Sequence, residues 1–180
     1  MTDIMKARLV LTAIGPDRSG IVNDVSEFLL KNGCNVEDSR MATLGGEFVL
    51  MLLVSGPADK IASVQMGFPP FANQLGLAAT AKETPTSPAR PDKGFVPFQV
   101  HVVGLDHEGI VHRFAHTLYE LGANIESLET QTVSAPVTGA PMFALTMRVA
   151  IPPHMSLSEL RSKLQTAGDE VNVDVTVQAA

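Results

Sequence analysis

Along this chain, apolar positions recur first at the strand period and then at the helix period, and the whole order is written twice. Residues 7 to 14, ARLVLTAI, are aliphatic and β-branched with no breaker and end at Gly15, which predicts a strand. A helix is predicted next. Asp17 or Ser19 is placed to cap it, Ile21, Val22, Val25, Phe28 and Leu29 fall on one stripe, and Gly33 supplies its stop. Two strands follow, NVEDSRMATL and EFVLMLLV, joined by a turn at Gly45-Gly46. The apolar run FVLMLLV, residues 48 to 54, reads as a buried strand. A second helix spans about residues 58 to 75, and Phe68-Pro69-Pro70 should break or kink it, because proline removes an internal hydrogen bond. A short closing strand at about residues 77 to 81 completes the unit.

The second half repeats this order. GPDRSGIV, residues 15 to 22, returns as GLDHEGIV, residues 104 to 111, and the offset of 89 (104 − 15) also carries Gly33 onto Gly122, Asn35 onto Asn124 and Glu37 onto Glu126. Asp106 is placed as the cap, Ile110, Val111, Phe114 and Leu118 form the stripe, and Gly122 ends the helix. NIESLETQTV and MFALTMRVAI match the two strands, a helix is expected from 156 to about 170, and a last strand from 171 to 177. After the second strand the offset becomes 95, so SAPVTGAP reads as a longer hairpin loop. Each half is thus predicted to be α+β with the ferredoxin-like βαββαβ order, an antiparallel sheet with two helices on one face. The domains are placed at 1–82 and 95–180, with a proline-rich linker at 83–94 whose Pro85, Pro88 and Pro91 favour an extended connector.

Composition then removes whole classes of function. The 13 basic and 19 acidic residues give a net charge of −6 with no Lys/Arg cluster, so no direct nucleic-acid contact is expected. The longest apolar run is far short of the roughly 20 residues of a membrane helix, so no membrane partner is expected. The first residues show no export signal, and the lone Cys34 fits a reducing, cytoplasmic setting.

The chemistry on offer is that of binding. Free N–H groups at the start of each first helix attract a carboxylate or phosphate, Gly15 permits a tight turn and Gly20 a close approach to the backbone. Asp17, Asn35 and Asp38 are candidates to hold an ammonium group, so an α-amino acid would satisfy both ends; the competing reading makes Asp17 and Asp106 plain helix caps and the glycines packing devices. At about 1.5 kcal/mol per heavy atom, a five-atom ligand such as glycine gains at most roughly 7.5 kcal/mol, a dissociation constant of a few micromolar. No serine–histidine–aspartate order, P-loop or paired-carboxylate motif is present, so no enzyme and no cofactor are expected. His112 and His116 are four residues apart but form only part of a metal site, Cys34 reads as a small buried side chain, and Met41, Met51, Met142 and Met147 read as core filling. VEDSR, residues 36 to 40, reads as a sheet edge, either solvated or pairing with another domain or subunit.

The segment LTAIGPDRSGIVNDVSEFLLKNGCNVEDSRMATLGGEFVLMLLVSG, residues 11 to 56, resembles the ACT domain, a small-molecule-binding regulatory module, and the tandem layout extends the resemblance over nearly the whole chain. The resemblance implies a ligand-responsive regulator. It would bind a small amino acid, glycine first among them, and modulate transcription of glycine cleavage and one-carbon genes through a DNA-binding activator partner. Carried onto this chain, its ligand site comprises Gly15, Asp17, Arg18, Ser19, Gly20, Ile21 and Asn35, with Asp106, His107, Gly109 and Asn124 as a second site. The second half departs from the pattern, with His107-Glu108 in place of Arg18-Ser19. A regulatory subunit of an amino-acid or one-carbon enzyme is the alternative, and a pure assembly domain without a ligand is the third reading. Open sheet edges favour a homodimer.

Overall fold

The computed structural model describes residues 6–85, 94–135 and 139–180. Two compact units divide the chain, Met1–Ala89 and Arg90–Ala180. The first contains β1 (Lys6–Pro16), α1 (Ile21–Lys31), β2 (Asn35–Leu44), β3 (Glu47–Pro57), α2 (Ala58–Gln74) and β4 (Ala78–Thr84). The second contains β5 (Val96–Leu105), α3 (Ile110–Glu120), β6 (Asn124–Ser134), β7 (Pro141–Ile151), α4 (Leu157–Glu170) and β8 (Val173–Ala179). Their sheets run β2-β3-β1-β4 and β6-β7-β5-β8, with every neighbouring pair antiparallel. This is the predicted ferredoxin-like order, formed twice.

Each sheet buries one face under its helices. In the first unit Leu9, Leu11, Leu50, Leu52 and Val54 point into a core closed by Ile21, Val25 and Leu29 of α1 and Ile61, Val64, Phe68 and Ala72 of α2. In the second, Val100, Val102, Leu145, Met147 and Val149 meet Ile110, Phe114 and Leu118 of α3 and Leu160 and Leu164 of α4. The helix stops are as expected: Cys34 N–H bonds to Leu29 O at 3.0 Å and Gly33 N–H to Leu30 O at 2.9 Å, closing the Schellman pattern, and Ala123 N–H bonds to Leu118 O in the same way.

Several expectations are corrected. The helix α2 runs unbroken through Pro69 and Pro70. Buried Val64, Phe68 and Ala72 bracket the pair, and Phe71 stacks on Phe28 of α1 at 4.4 Å, so tertiary packing outweighs two missing donors. Val22 and Val111 lie on exposed flanks rather than in the helix stripes. Met147 is core, but Met41 and Met51 are exposed. Met51 exposes the larger error: FVLMLLV is buried on one face only, with Val49, Met51 and Leu53 on the sheet face away from the helices. The strand β4 continues through Glu83 and Thr84, residues expected in the linker, because Leu9 and Arg8 of β1 pair with them. Residues 86–93 of that linker, and 136–138 of the longer hairpin loop, lie outside the described residues.

Candidate functional site

The repeated turn joins the end of β1 to the start of α1, and its backbone is fixed by glycine. Gly20 is the N-cap at φ 92°, ψ −6°, and Gly109 is its counterpart at φ 91°, ψ −8°, a left-handed conformation that costs a side-chain-bearing residue energy. No side chain caps either helix. This overturns the capping role given to Asp17, Ser19 and Asp106. With no side-chain acceptor spent on them, the first-turn N–H groups of α1 and α3 face outward at the positive end of the helix dipole.

The aspartates instead pin the turn to the neighbouring hairpin. Asp17 donates its N–H to Gly46 O at 3.1 Å, and its carboxylate accepts from the Thr43 hydroxyl at 3.2 Å. Asp106 repeats both contacts, to Pro141 O at 3.0 Å and from the Thr132 hydroxyl at 3.3 Å. Thr43 and Thr132 are the site residues that motif reading missed. The offset of 89 (132 − 43) relates them, so the repeat itself carried the signal.

Gly15 and Gly104 have another role than turning the chain. Both lie within strands, and a Cβ on Gly15 would come within 2.5 Å of Gly76 O, while one on Gly104 would come within 2.5 Å of Val173 Cγ1. They are glycines so that β1 can press against the segment before β4 and β5 against the first residue of β8.

Asn35 and Asn124 stand apart from these turns. Asn35 pairs with Ser55 of β3 whereas Gly15 pairs with Phe48, a separation of seven residues along the strand (55 − 48), or about 23 Å at roughly 3.3 Å per residue. Asn124 opposite Ala150 and Gly104 opposite Phe143 are separated in the same way. Asp38, beside Leu53, is also well along the sheet, and its carboxylate is held by Arg40 at 2.6 Å. Within one unit, therefore, the turn cannot share a small ligand with the asparagine or with Asp38. Glu37 and Glu126 occupy β-bulges and pair with Arg8 at 2.8 Å and Arg148 at 2.7 Å.

The side chains around the two turns differ. Arg18 bonds to Asp24 in the first turn of α1 at 2.9 Å and to Ser19 O at 3.1 Å, and its hydrogen bond is the main cause that lowers the Asp24 carboxyl below its ordinary value. Ile21, although named with the turn, is core and 2% exposed. In the second turn His107 Nε2 lies 2.7 Å from Val171 O and Nδ1 2.9 Å from Glu108 O, and these contacts raise the imidazole above its ordinary value. Arg113 takes the place of Asp24 and pairs with Glu170 at the end of α4.

The remaining candidate chemistry is modest. His112 and His116 stack at 5.9 Å, and His116 lies 3.4 Å from Glu120. Among the described residues no three His, Cys, Asp or Glu side chains converge as a metal site would require. Cys34 is half-buried, burial raises its thiol, and its sulfur would lie 3.1 Å from a Cβ on Gly56, so it fills space beside β3. Among the described residues no helix is long and apolar enough to cross a membrane.

Comparison with known proteins places this geometry in context. Residues 7–82 match the family model of the ACT domain. Over 169 residues the chain is 30% identical to the glycine cleavage system transcriptional repressor of Escherichia coli strain K12, covering 94% of this chain and 88% of that protein. A crystal structure of an unknown protein from Galdieria sulphuraria superposes with a TM-score of 0.80 at 34% identity, covering 97% of this chain and 99% of that one. A second crystal structure, of a candidate glycine cleavage system transcriptional repressor, superposes with a TM-score of 0.70 at 27% identity and 98% coverage of both chains.

Proposed function

The chain belongs to the ACT domain family, and from that premise we propose that it is a ligand-responsive regulator that binds a small amino acid, glycine in the first instance, at the β1–α1 and β5–α3 turns. The observation that carries this reading is the doubled helix N-terminus: a left-handed glycine leads into an uncapped first turn, and an aspartate fixed by a threonine stands beside it. Outward N–H groups suit a ligand carboxylate, and Asp17 or Asp106 suits its ammonium group. Neither Asn35 nor Asn124 reaches the turn of its own unit, so the reading rests on the turn residues alone.

The E. coli relative is a transcriptional repressor. By that likeness the output is control of glycine cleavage and one-carbon genes. The acidic charge of −6 favours action through a DNA-binding activator rather than on DNA directly. The lone Cys34 suits the cytoplasm and the open sheet edges suit a homodimer.

Calorimetric titration of the full chain with glycine, serine and other small amino acids tests the reading. Saturable binding of one amino acid at micromolar concentration is expected, with Asp17→Ala and Asp106→Ala each weakening binding at its own turn. No heat with any amino acid would overturn it. Co-purification of a metabolic enzyme in place of a DNA-binding regulator would overturn the output.

A further inference from the structure

The position where the two turns diverge most is 18 in the first and 107 in the second. Arg18 stays on its own helix, bonded to Asp24. His107 instead leaves its own helix and meets the carbonyl of Val171, the C-cap residue of α4, at the corner that Gly104 brings beside the turn by pairing with Val173. Both partners of the ring are carbonyl oxygens, and a carbonyl can only accept. A neutral imidazole carries one N–H and would turn a lone pair toward the other oxygen. Only the imidazolium donates to both.

The segment His107 reaches is the one most in need of a tie. Asn172, directly after Val171, sits at φ 52°, the one non-glycine residue with positive φ among those described. In the first unit the residue after the α2 C-cap is Gly76, at φ 80°, which adopts that conformation without a side-chain penalty. The second unit therefore carries a less comfortable residue at this corner, and a side chain that holds the preceding carbonyl.

We propose that His107 is a proton-operated latch, clamping the β5–α3 turn onto the C-terminal end of α4 when the ring is protonated and releasing one of its two carbonyls when it is not. Asp106 on the turn itself favours the imidazolium, after the two carbonyl bonds. On the α4 side Glu170 is occupied by Arg113 of α3, while Asp169 and Asp174 line the neighbouring cleft of about 390 Å³ with Asn172. The native ring holds its proton more tightly than an unfolded one, so the latch's stabilisation is complete below the ordinary histidine value of about 6.5 and is lost as pH rises through the higher native value.

The latch does not depend on any ligand, and its test uses none. Ring-nitrogen NMR of the full chain across the neutral range reads His107 directly. Its midpoint is expected above the ordinary histidine value of about 6.5, with both ring nitrogens protonated below that midpoint. The backbone amide signals of Gly109, Val171 and Asn172 should shift with the same midpoint and cease to do so in His107→Gln. A His107 midpoint at or below the ordinary value of about 6.5 would overturn the proposal, as would Val171 and Asn172 signals that ignore its titration.

Discussion

The N-cap glycines of the β1–α1 and β5–α3 turns share φ and ψ to within a few degrees, and each turn is held to its hairpin by an aspartate–threonine pair, yet their charges differ in sign at the helix start. Asp24 occupies the first turn of α1, and the offset of 89 places Arg113 at the same point of α3. An acid there complements the dipole, while a base opposes it and is compensated here by Glu170. The sheets diverge in a parallel way. Val10, Met51 and Leu53, on the first sheet's open face, correspond to Gln99, Thr146 and Arg148 on the second. The lesson is a division of labour within one fold. Buried faces and turn backbones are constrained by packing and φ, so both copies keep them, whereas the charges beside the turn and the open face are free to specialise.

The largest expected effect tests what the copies share. Gly15→Ala puts a methyl against the carbonyl of Gly76, and Gly104→Ala puts one against Cγ1, Cβ and Cα of Val173, so neither obstacle moves aside by a rotamer change. Each should cost about 1 to 3 kcal/mol by overpacking. Urea unfolding with a probe in each unit would read the two losses separately, and no loss in either unit would mean that the strands separate there at little cost.

A smaller effect on the fold, but a larger one on assembly, is expected from exchanging the open faces. Leu53→Arg, which installs the second copy's residue, should cost less stability than either glycine substitution, since the half-buried position faces away from the core. If the apolar face is where copies meet, the same substitution lowers self-association in sedimentation, and Arg148→Leu does not. Unchanged association in Leu53→Arg would exclude this face as a meeting point between copies and turn attention to the edge strands β2 and β6.

These comparisons also show where the sequence was readable. The stripe Ile21, Val25, Leu29 and the alternation of Phe143, Leu145, Met147 and Val149 with Ala144, Thr146 and Arg148 declare a buried face directly, so fold and topology were legible. FVLMLLV misled because its open face is apolar too, which erases the alternation that distinguishes a half-exposed strand from a fully buried one. The site was half legible. Glycines and aspartates of the turn stood out, but Asp17 resembles a cap in sequence and proved to be a hairpin tie, because Gly20 takes the N-cap position. Asn35 follows the turn closely in the repeat pattern, but α1 and the strand register carry it to the far end of the sheet. Sequence spacing conveys neither register nor a contact as distant as His107 with Val171.

The smallest effect expected is the most specific to the charge difference between the turns. Asp24→Asn removes the acid that complements the α1 dipole and the partner of Arg18, so the first unit should unfold at slightly lower urea near pH 7. The native Asp24 carboxyl is held below its ordinary value chiefly by the Arg18 hydrogen bond, so its contribution is in place above the unfolded value of about 3.9 and is lost as pH falls through the lower native one. The wild-type and Asp24→Asn midpoints should therefore converge in acid. Arg113→Gln, at the matching place in α3, removes a cation rather than an acid and leaves Glu170 without that partner. A gap between wild type and Asp24→Asn that persists unchanged below the native Asp24 value would trace the loss to helix packing rather than to charge, and the contrast between the two turns would then rest on His107 and the open faces.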